Sequence, residues 1–410
     1  TRETRGGEFF YRLHFDLHYM PAIWARWIIG FCAMFMLVAI VTGIVTHRRI
    51  FADFFTFRAK KGQRSWLDAH NATAVLALPY HLMITYTGLV TLMLMYIPFG
   101  PQVTYKGDQQ AFTAEVFPGS GRDPKPSGIA APLVPISPLI AQAQQRWGEG
   151  SIGRITVSNP GDAIATVALS RRADQHMSSA QPTLVFNGTN GQLLSETGED
   201  RGAVITTRSV LYGLHLGRFA DPLLRALFFV SGLAGCVMVA TGLLLWAVKE
   251  RNTYARVVAQ GGRVGWGSRL VDGLNLGAIA GLMTAIPAFF WANRLLPVGM
   301  AARGQAEIDL FFSVWAVAAI AGLAWPTRRM WRVQLGVAAL LFGAIPLLNA
   351  VTTSTHLGVS IPAGLWAVAG FDLICLALGA ALLVCAWWLG RRQPVRAQGA
   401  APAALSREPA

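Results

Sequence analysis

Seven runs of apolar residues, each about as long as a bilayer is thick, leave this chain few folds to adopt. They fall at Trp27–Thr46, Thr73–Ile97, Ala226–Val248, Gly273–Trp291, Ile308–Trp325, Val333–Leu348 and Ala363–Trp388. Each crosses ~30 Å of hydrocarbon as a helix, allowing for tilt and frayed ends. Lipid offers backbone groups no partner, so helices are the spanning form these runs predict. Composition agrees, because only 14% of the 410 residues are charged where soluble domains carry about a quarter. The sixth run is the shortest and contains Pro346.

The net charge of +14 would suit a nucleic-acid partner, but its placement argues against one. Arg48, Arg49, Arg58, Lys60, Lys61 and Arg64 lie between the first two runs, and Lys249, Arg251, Arg256, Arg263 and Arg269 follow the third. Arg328, Arg329 and Arg332 follow the fifth, and Arg391, Arg392 and Arg396 the last. Basic loops therefore alternate with loops poor in charge, which predicts that the basic ones are cytoplasmic. The N-terminus is then outside. An outer N-terminus with no signal peptide leads us to expect a preceding transmembrane helix that this sequence lacks.

Pro98–Arg225 differs in kind. It opens on Pro- and Gly-rich loops, including Phe117–Pro138, then presents PLIAQAQQRW (Pro138–Trp147) as a short amphipathic helix. Ile152–Val157, Ala163–Leu169, Thr183–Phe186 and Gln192–Ser195 read as strands, with a turn at Asn187–Gly191. This is a small α+β unit on the outer face, with no phosphate loop. His176, the histidine of this segment that lies away from the spans, has no catalytic partners in sequence.

The four cysteines (Cys32, Cys236, Cys375 and Cys385) all lie in apolar runs without a CxxC, as buried small hydrophobes do. The histidines are more informative. His14, His18, His47, His70, His81, His215 and His356 lie at or near the spans, where ionisable groups are costly and usually functional. His18 and His215 precede the first and third runs, near the outer face. His14 stands four residues before His18, on one side of a helix if that segment is helical. His47 and His70 lie near the cytoplasmic face. His81 follows His70 by eleven residues, about three full turns and about 16 Å of rise, so the two share one face of an unbroken helix.

Imidazoles facing each other across a bundle are what bis-histidine haem ligation requires, with a flat ring edge-on between helices. Small residues in SGLAGCVMVATG (Ser231–Gly242), with Thr85, Thr87 and Gly88, leave room for it, though they serve ordinary helix packing as well. A proton relay and a zinc or copper site are the competing readings. Zinc would more often bring cysteines or carboxylates.

FYRLHFDLHY (Phe10–Tyr19), GIVTHRRIFADFFTFR (Gly43–Arg58), SWLDAHNATAVLALPYHLMITYTGLV (Ser65–Val90) and LYGLHLGRF (Leu211–Phe219) resemble the PepSY-associated transmembrane proteins. SPLIAQAQQRWG and LVFNGTNGQLL resemble a PepSY module, and the likeness covers Phe9 to Glu250. It implies a bacterial inner-membrane protein. Some members are di-haem reductases of ferric siderophores on the periplasmic side, and most begin with a further helix carrying its own histidine.

The expected fold is a membrane all-α helical bundle of about seven transmembrane helices. A small α+β PepSY-like periplasmic domain is inserted between the second and third. The expected segments are 1–97, a periplasmic domain at 98–222, the third helix at 223–250, four further helices at 251–390, and a disordered cytoplasmic tail at 391–410. The expected cofactor is haem b, twice over: an inner haem on His47, His70 or His81, and an outer one on His18 (or His14) with His215. Membrane lipid, a ferric siderophore or other periplasmic acceptor, and a cytoplasmic reductase or quinol donor are the expected partners, because the GxGxxG at Gly148–Gly153 follows a helix and leads into a strand, the reverse of a dinucleotide-binding turn, and no flavin signature occurs. The alternatives are a PepSY anchor that restrains a periplasmic protein and a transporter of iron chelates. The C-terminal spans, poor in ionisable residues beyond Arg294, Asp309, His356 and Asp372, read as scaffold or partner surface.

Overall fold

A computed structural model describes residues 2–46, 50–53, 63–116, 125–173, 176–197, 202–263 and 265–391. The expectations for His47, Lys60 and the tail beyond Arg391 fall outside these residues. The longer helices are α1 (Gly6–Asp16), α2 (Ala22–Thr46), α3 (Gln63–Leu76), α4 (Leu78–Thr91) and α5 (Ile136–Trp147). After strands β1 (Ile152–Ser158), β2 (Thr166–Arg171), β3 (Thr183–Asn187) and β4 (Leu193–Thr197) come α6 (Ala203–Leu216) and α7 (Pro222–Ala259). Four apolar helices follow: α8 (Gly267–Leu295), α9 (Arg303–Ala324), α10 (Arg328–Thr352) and α11 (Trp366–Arg391).

Among the described residues six helices are long and apolar enough to cross a membrane, and a seventh span exists if the bent pair α3–α4 is one crossing. Large apolar side chains such as Phe35 on α2 and Val230 on α7 face outward, the arrangement that lipid rather than water rewards. The chain is thus a multi-pass membrane protein. It divides into two compact units, His14–Val239 and Thr1–Leu13 with Ala240–Ala410.

In the first unit, α2 packs along α4, and the Tyr96 hydroxyl donates to the Arg26 carbonyl at 2.8 Å. The second span is not the continuous helix Thr73–Ile97 expected from hydropathy. It breaks at Ala77, before Pro79, and its halves meet at 63°. Pro79 supplies no N–H to the preceding turn, so the ladder cannot run through unbroken. The eleven-residue count linking His70 to His81 therefore does not hold as helical phase. Likewise α1 stops at Asp16, and Leu17 and Tyr19 take left-handed φ of 52° and 57°. His14 and His18 consequently do not share a helix face.

The extramembrane part holds a four-stranded antiparallel meander in the order β1-β2-β3-β4. Val167 and Leu169 of β2 pair with Phe186 and Leu184 of β3, and all four point into a core closed by Leu139 and Ala143 of α5. Alternation along β2 and β3 puts every second residue inside, so a one-residue slip would empty the core. The second strand starts at Thr166 rather than Ala163 because Asp162 anchors the preceding loop. It accepts from the Ser127 hydroxyl at 2.6 Å and from the N–H groups of Gly128 and Ile164. After β4 the chain forms α6, which local periodicity did not reveal.

In the second unit, Gly273, Gly277 and Gly281 recur every fourth residue on α8 and face Leu323, Ala319 and Ala318 of α9. A Cβ at Gly273 would stand 2.8 Å from the Leu323 Cα, so this seam needs glycine for the backbones to meet. Phe9 of α1 packs between Phe289 and Phe311, with both ring centroids 5.1 Å away. These helices are not as free of charge as expected. The span begins at Arg303, a turn before Ile308, and encloses a fully buried Arg303–Glu307 pair at 2.6 Å.

Candidate functional site

The residues that bring histidines together lie within the unit His14–Val239. Helix α6 places His215 in its last turn, before Gly217 closes it in the left-handed conformation at φ 61°. A residue with a side chain resists that conformation, so Gly217 is what lets the chain turn back toward α7. Helix α6 packs on α4. The His215 Nδ1–H donates to the Ile84 carbonyl at 3.1 Å, and Thr87 Oγ1 lies 3.2 Å from the same nitrogen. A carbonyl at Nδ1 puts the proton there and leaves the Nε2 lone pair free, as in metal-ligating histidines. Burial, and after it the neighbouring His14, hold the His215 imidazole below its ordinary pKa and so in the neutral form.

His14 supplies the facing ring. The two imidazoles have centroids 6.2 Å apart and planes 24° from parallel. Gly88 keeps the space beside His215 open, since a Cβ there would meet the ring carbon at 3.0 Å. A cavity of about 400 Å³ opens next to it, walled by Tyr80, Ile84, His215, Phe228, Arg218 and Arg225. The size falls within the usual range for small-molecule sites. Its walls are apolar apart from His215, Arg218 and Arg225, and the Arg225 guanidinium donates to the Ala220 and Arg218 carbonyls. His18, the other outer candidate, packs its ring against Tyr19 at 4.4 Å.

Deeper along the same helices, His81 is buried and its Nε2–H donates to the Ser231 carbonyl of α7 at 3.1 Å. A Cβ at Gly235 would lie 2.8 Å from that nitrogen. His70 hydrogen-bonds the main chain at Met238. Ser231 and Met238 are seven residues apart, about two turns and ~10 Å along α7. Both histidines thus address α7 at successive depths although α3–α4 is bent between them. His47, the other inner candidate, lies outside the described residues. His176 is exposed. Among the described residues no group of three or more His, Cys, Asp or Glu side chains gathers as a metal cage.

His215 is a candidate from sequence, where His14 is the alternative to His18. Neither Ile84, whose carbonyl orients the ring, nor Arg218 and Arg225 are among the sequence candidates. A backbone carbonyl has no signature in sequence. The arginines do, following His215 by three and ten residues.

Residues 1–249 match the family described as the PepSY-associated TM region. Over 397 residues, 93% of each chain, the sequence is 25% identical to the uncharacterized protein PA4219 of Pseudomonas aeruginosa.

Proposed function

The chain belongs to the family of the PepSY-associated TM region, and we propose that it is a b-type cytochrome of the bacterial inner membrane. On this reading it passes electrons outward to a periplasmic ferric chelate, of which a ferric siderophore is the expected case. The observation that supports this best is the His14–His215 pair, 6.2 Å apart beside a cavity. A haem held by two histidines supplies a reversible one-electron couple.

The protein's own groups have separate tasks. The Ile84 carbonyl fixes the His215 tautomer, Gly88 keeps the ring's flank clear, and Arg218 on the cavity wall would offer a guanidinium to a carboxylate. His70 and His81, on the path toward the opposite face, would serve the inner haem, with His47 the remaining candidate. On this reading the basic loops are cytoplasmic and the four-stranded domain is periplasmic. A partner reductase or a membrane quinol would be the donor.

One observation favours a second reading, a PepSY anchor that restrains a periplasmic protein. His81 gives its Nε2–H to a main-chain carbonyl, as a histidine does when it only ties two helices together. A reduced-minus-oxidised spectrum of the protein purified from haem-replete cells separates the two. Bands of low-spin haem b, with about two haems per chain by pyridine haemochromogen, support the cytochrome. Protein that is folded and colourless overturns it.

A further inference from the structure

One guanidinium in the second unit is buried along the edge with which it would donate. Helix α9 ends at Ala324, and α10 begins at Arg328, where the Thr327 hydroxyl accepts from the Met330 N–H at 3.2 Å. That cap fixes Arg328 in the first turn. The Nε and Nη2 of its guanidinium are both buried, and neither has an acceptor among the described residues. These two nitrogens form the side of a guanidinium that grips an oxyanion with two parallel N–H bonds. A buried charge left unpaired is costly, so this edge calls for an oxyanion.

The surroundings are basic at the helix ends and apolar along the flank. The start of α10 packs on the end of α11, with Met330, Trp331, Leu382 and Leu389 around Leu335 and Ala386. Arg332, one turn after Arg328, lies across Gly390, where a Cβ would stand 2.9 Å from the Arg332 Cζ. The Arg391 guanidinium stacks on Trp387 at 3.9 Å. Among the described residues neither Arg332 nor Arg391 has an ion-pair partner, and Asp272, in the first turns of α8, is taken by Arg251 at 2.7 Å. After Arg391 the next acidic residue in sequence is Glu408. Along the same two helices Val333, Val337 and Val384 are exposed, as side chains that face lipid are.

We propose that Arg328, with Arg332 and Arg391, binds the phosphate headgroup of an anionic phospholipid whose acyl chains lie along α10 and α11. Arginines and a tryptophan at the end of two apolar helices stand where headgroups meet hydrocarbon. A free phosphate would use the cations and leave the apolar flank idle, which favours the lipid. The site does not depend on the cytochrome reading.

The test uses the purified full-length protein, delipidated in detergent. It is titrated with short-chain phosphatidylglycerol and, in parallel, with phosphatidylcholine of the same chain length, and bound lipid is counted by native mass spectrometry. The expected result is saturable binding of phosphatidylglycerol and much weaker binding of phosphatidylcholine. Arg328→Gln removes a charge-assisted pair of donors and should weaken phosphatidylglycerol about tenfold. Arg328→Lys, which keeps the charge but not the paired donors, should fall between the two. Arg332→Gln should weaken binding as well. Arg256→Gln, which removes an equal charge from an exposed position on α7, should bind as the wild type does. Equal affinity for the two lipids overturns the proposal, as does an Arg328→Gln protein that loses no more than Arg256→Gln. Inorganic phosphate that binds as tightly as phosphatidylglycerol would assign the edge to a soluble anion. Phosphatidylglycerol binding that emerges only in Glu408→Gln would assign it to a carboxylate of this chain. Either result overturns the lipid site too.

Discussion

The His81 Nε2 lies 3.1 Å from the Ser231 carbonyl oxygen, and one turn further along α7 Gly235 leaves that ring its space. A methyl group at 235 would stand 2.8 Å from Nε2, too close for both to stay. Gly235→Ala should therefore destabilise the protein by about 1–3 kcal/mol through overpacking. It should also alter the signal of any haem that His81 ligates. Unfolding in detergent and electron paramagnetic resonance read the two effects. Unchanged stability would show that the ring moves freely.

His14 and His215 should behave as one pair. His215→Ala and His14→Ala should each remove or convert the same low-spin haem, because no other side chain replaces a lost axial imidazole. His18→Ala should leave that haem intact, since its ring packs on Tyr19, and exposed His176 should be equally silent. Haem content and low-spin signals measure this. Full low-spin content in His215→Ala would rule out the outer assignment.

Glu307 is fully buried and accepts from Arg303, Asn293, the Thr4 hydroxyl and the Arg5 N–H. Removing it strands a buried guanidinium. Glu307→Gln should cost about 3–5 kcal/mol, and Arg303→Met/Glu307→Leu should lose less than the sum of its single variants. Additive losses would mean that the two charges do not act as a pair.

The Asp162 carboxyl is held at about 2, below its ordinary 3.8, first by the Ser127 hydroxyl and then by main-chain N–H groups. Its ionised form thus favours the folded domain at neutral pH. That contribution is lost as pH falls from 3.8 toward about 2. Asp162→Asn should unfold at a lower temperature than wild type at pH 7, and the gap should close through that window. A gap of constant size from pH 7 to pH 2 would contradict this.

The basic loops predict the sidedness proposed above. Glu149→Cys in intact spheroplasts should react with a membrane-impermeant maleimide, and Gln260→Cys only after the membrane is opened. The reverse pattern would invert the direction proposed for electron flow.

Apolar run length by itself located the spans, because bilayer thickness acts on each segment separately. The same holds for β2 and β3, whose inward residues alternate one by one with the pleat. The histidine-rich stretches were legible too, since ionisable groups beside lipid stand out in any reading of hydropathy. Which histidine faces which was not. His14 and His215 are 201 residues apart and meet only because α1 ends at Asp16 and α6 packs on α4. The glycine seam of α8 against α9 belongs to the same class. Each depends on a neighbour brought from far along the chain, and periodicity within one segment carries no record of that neighbour.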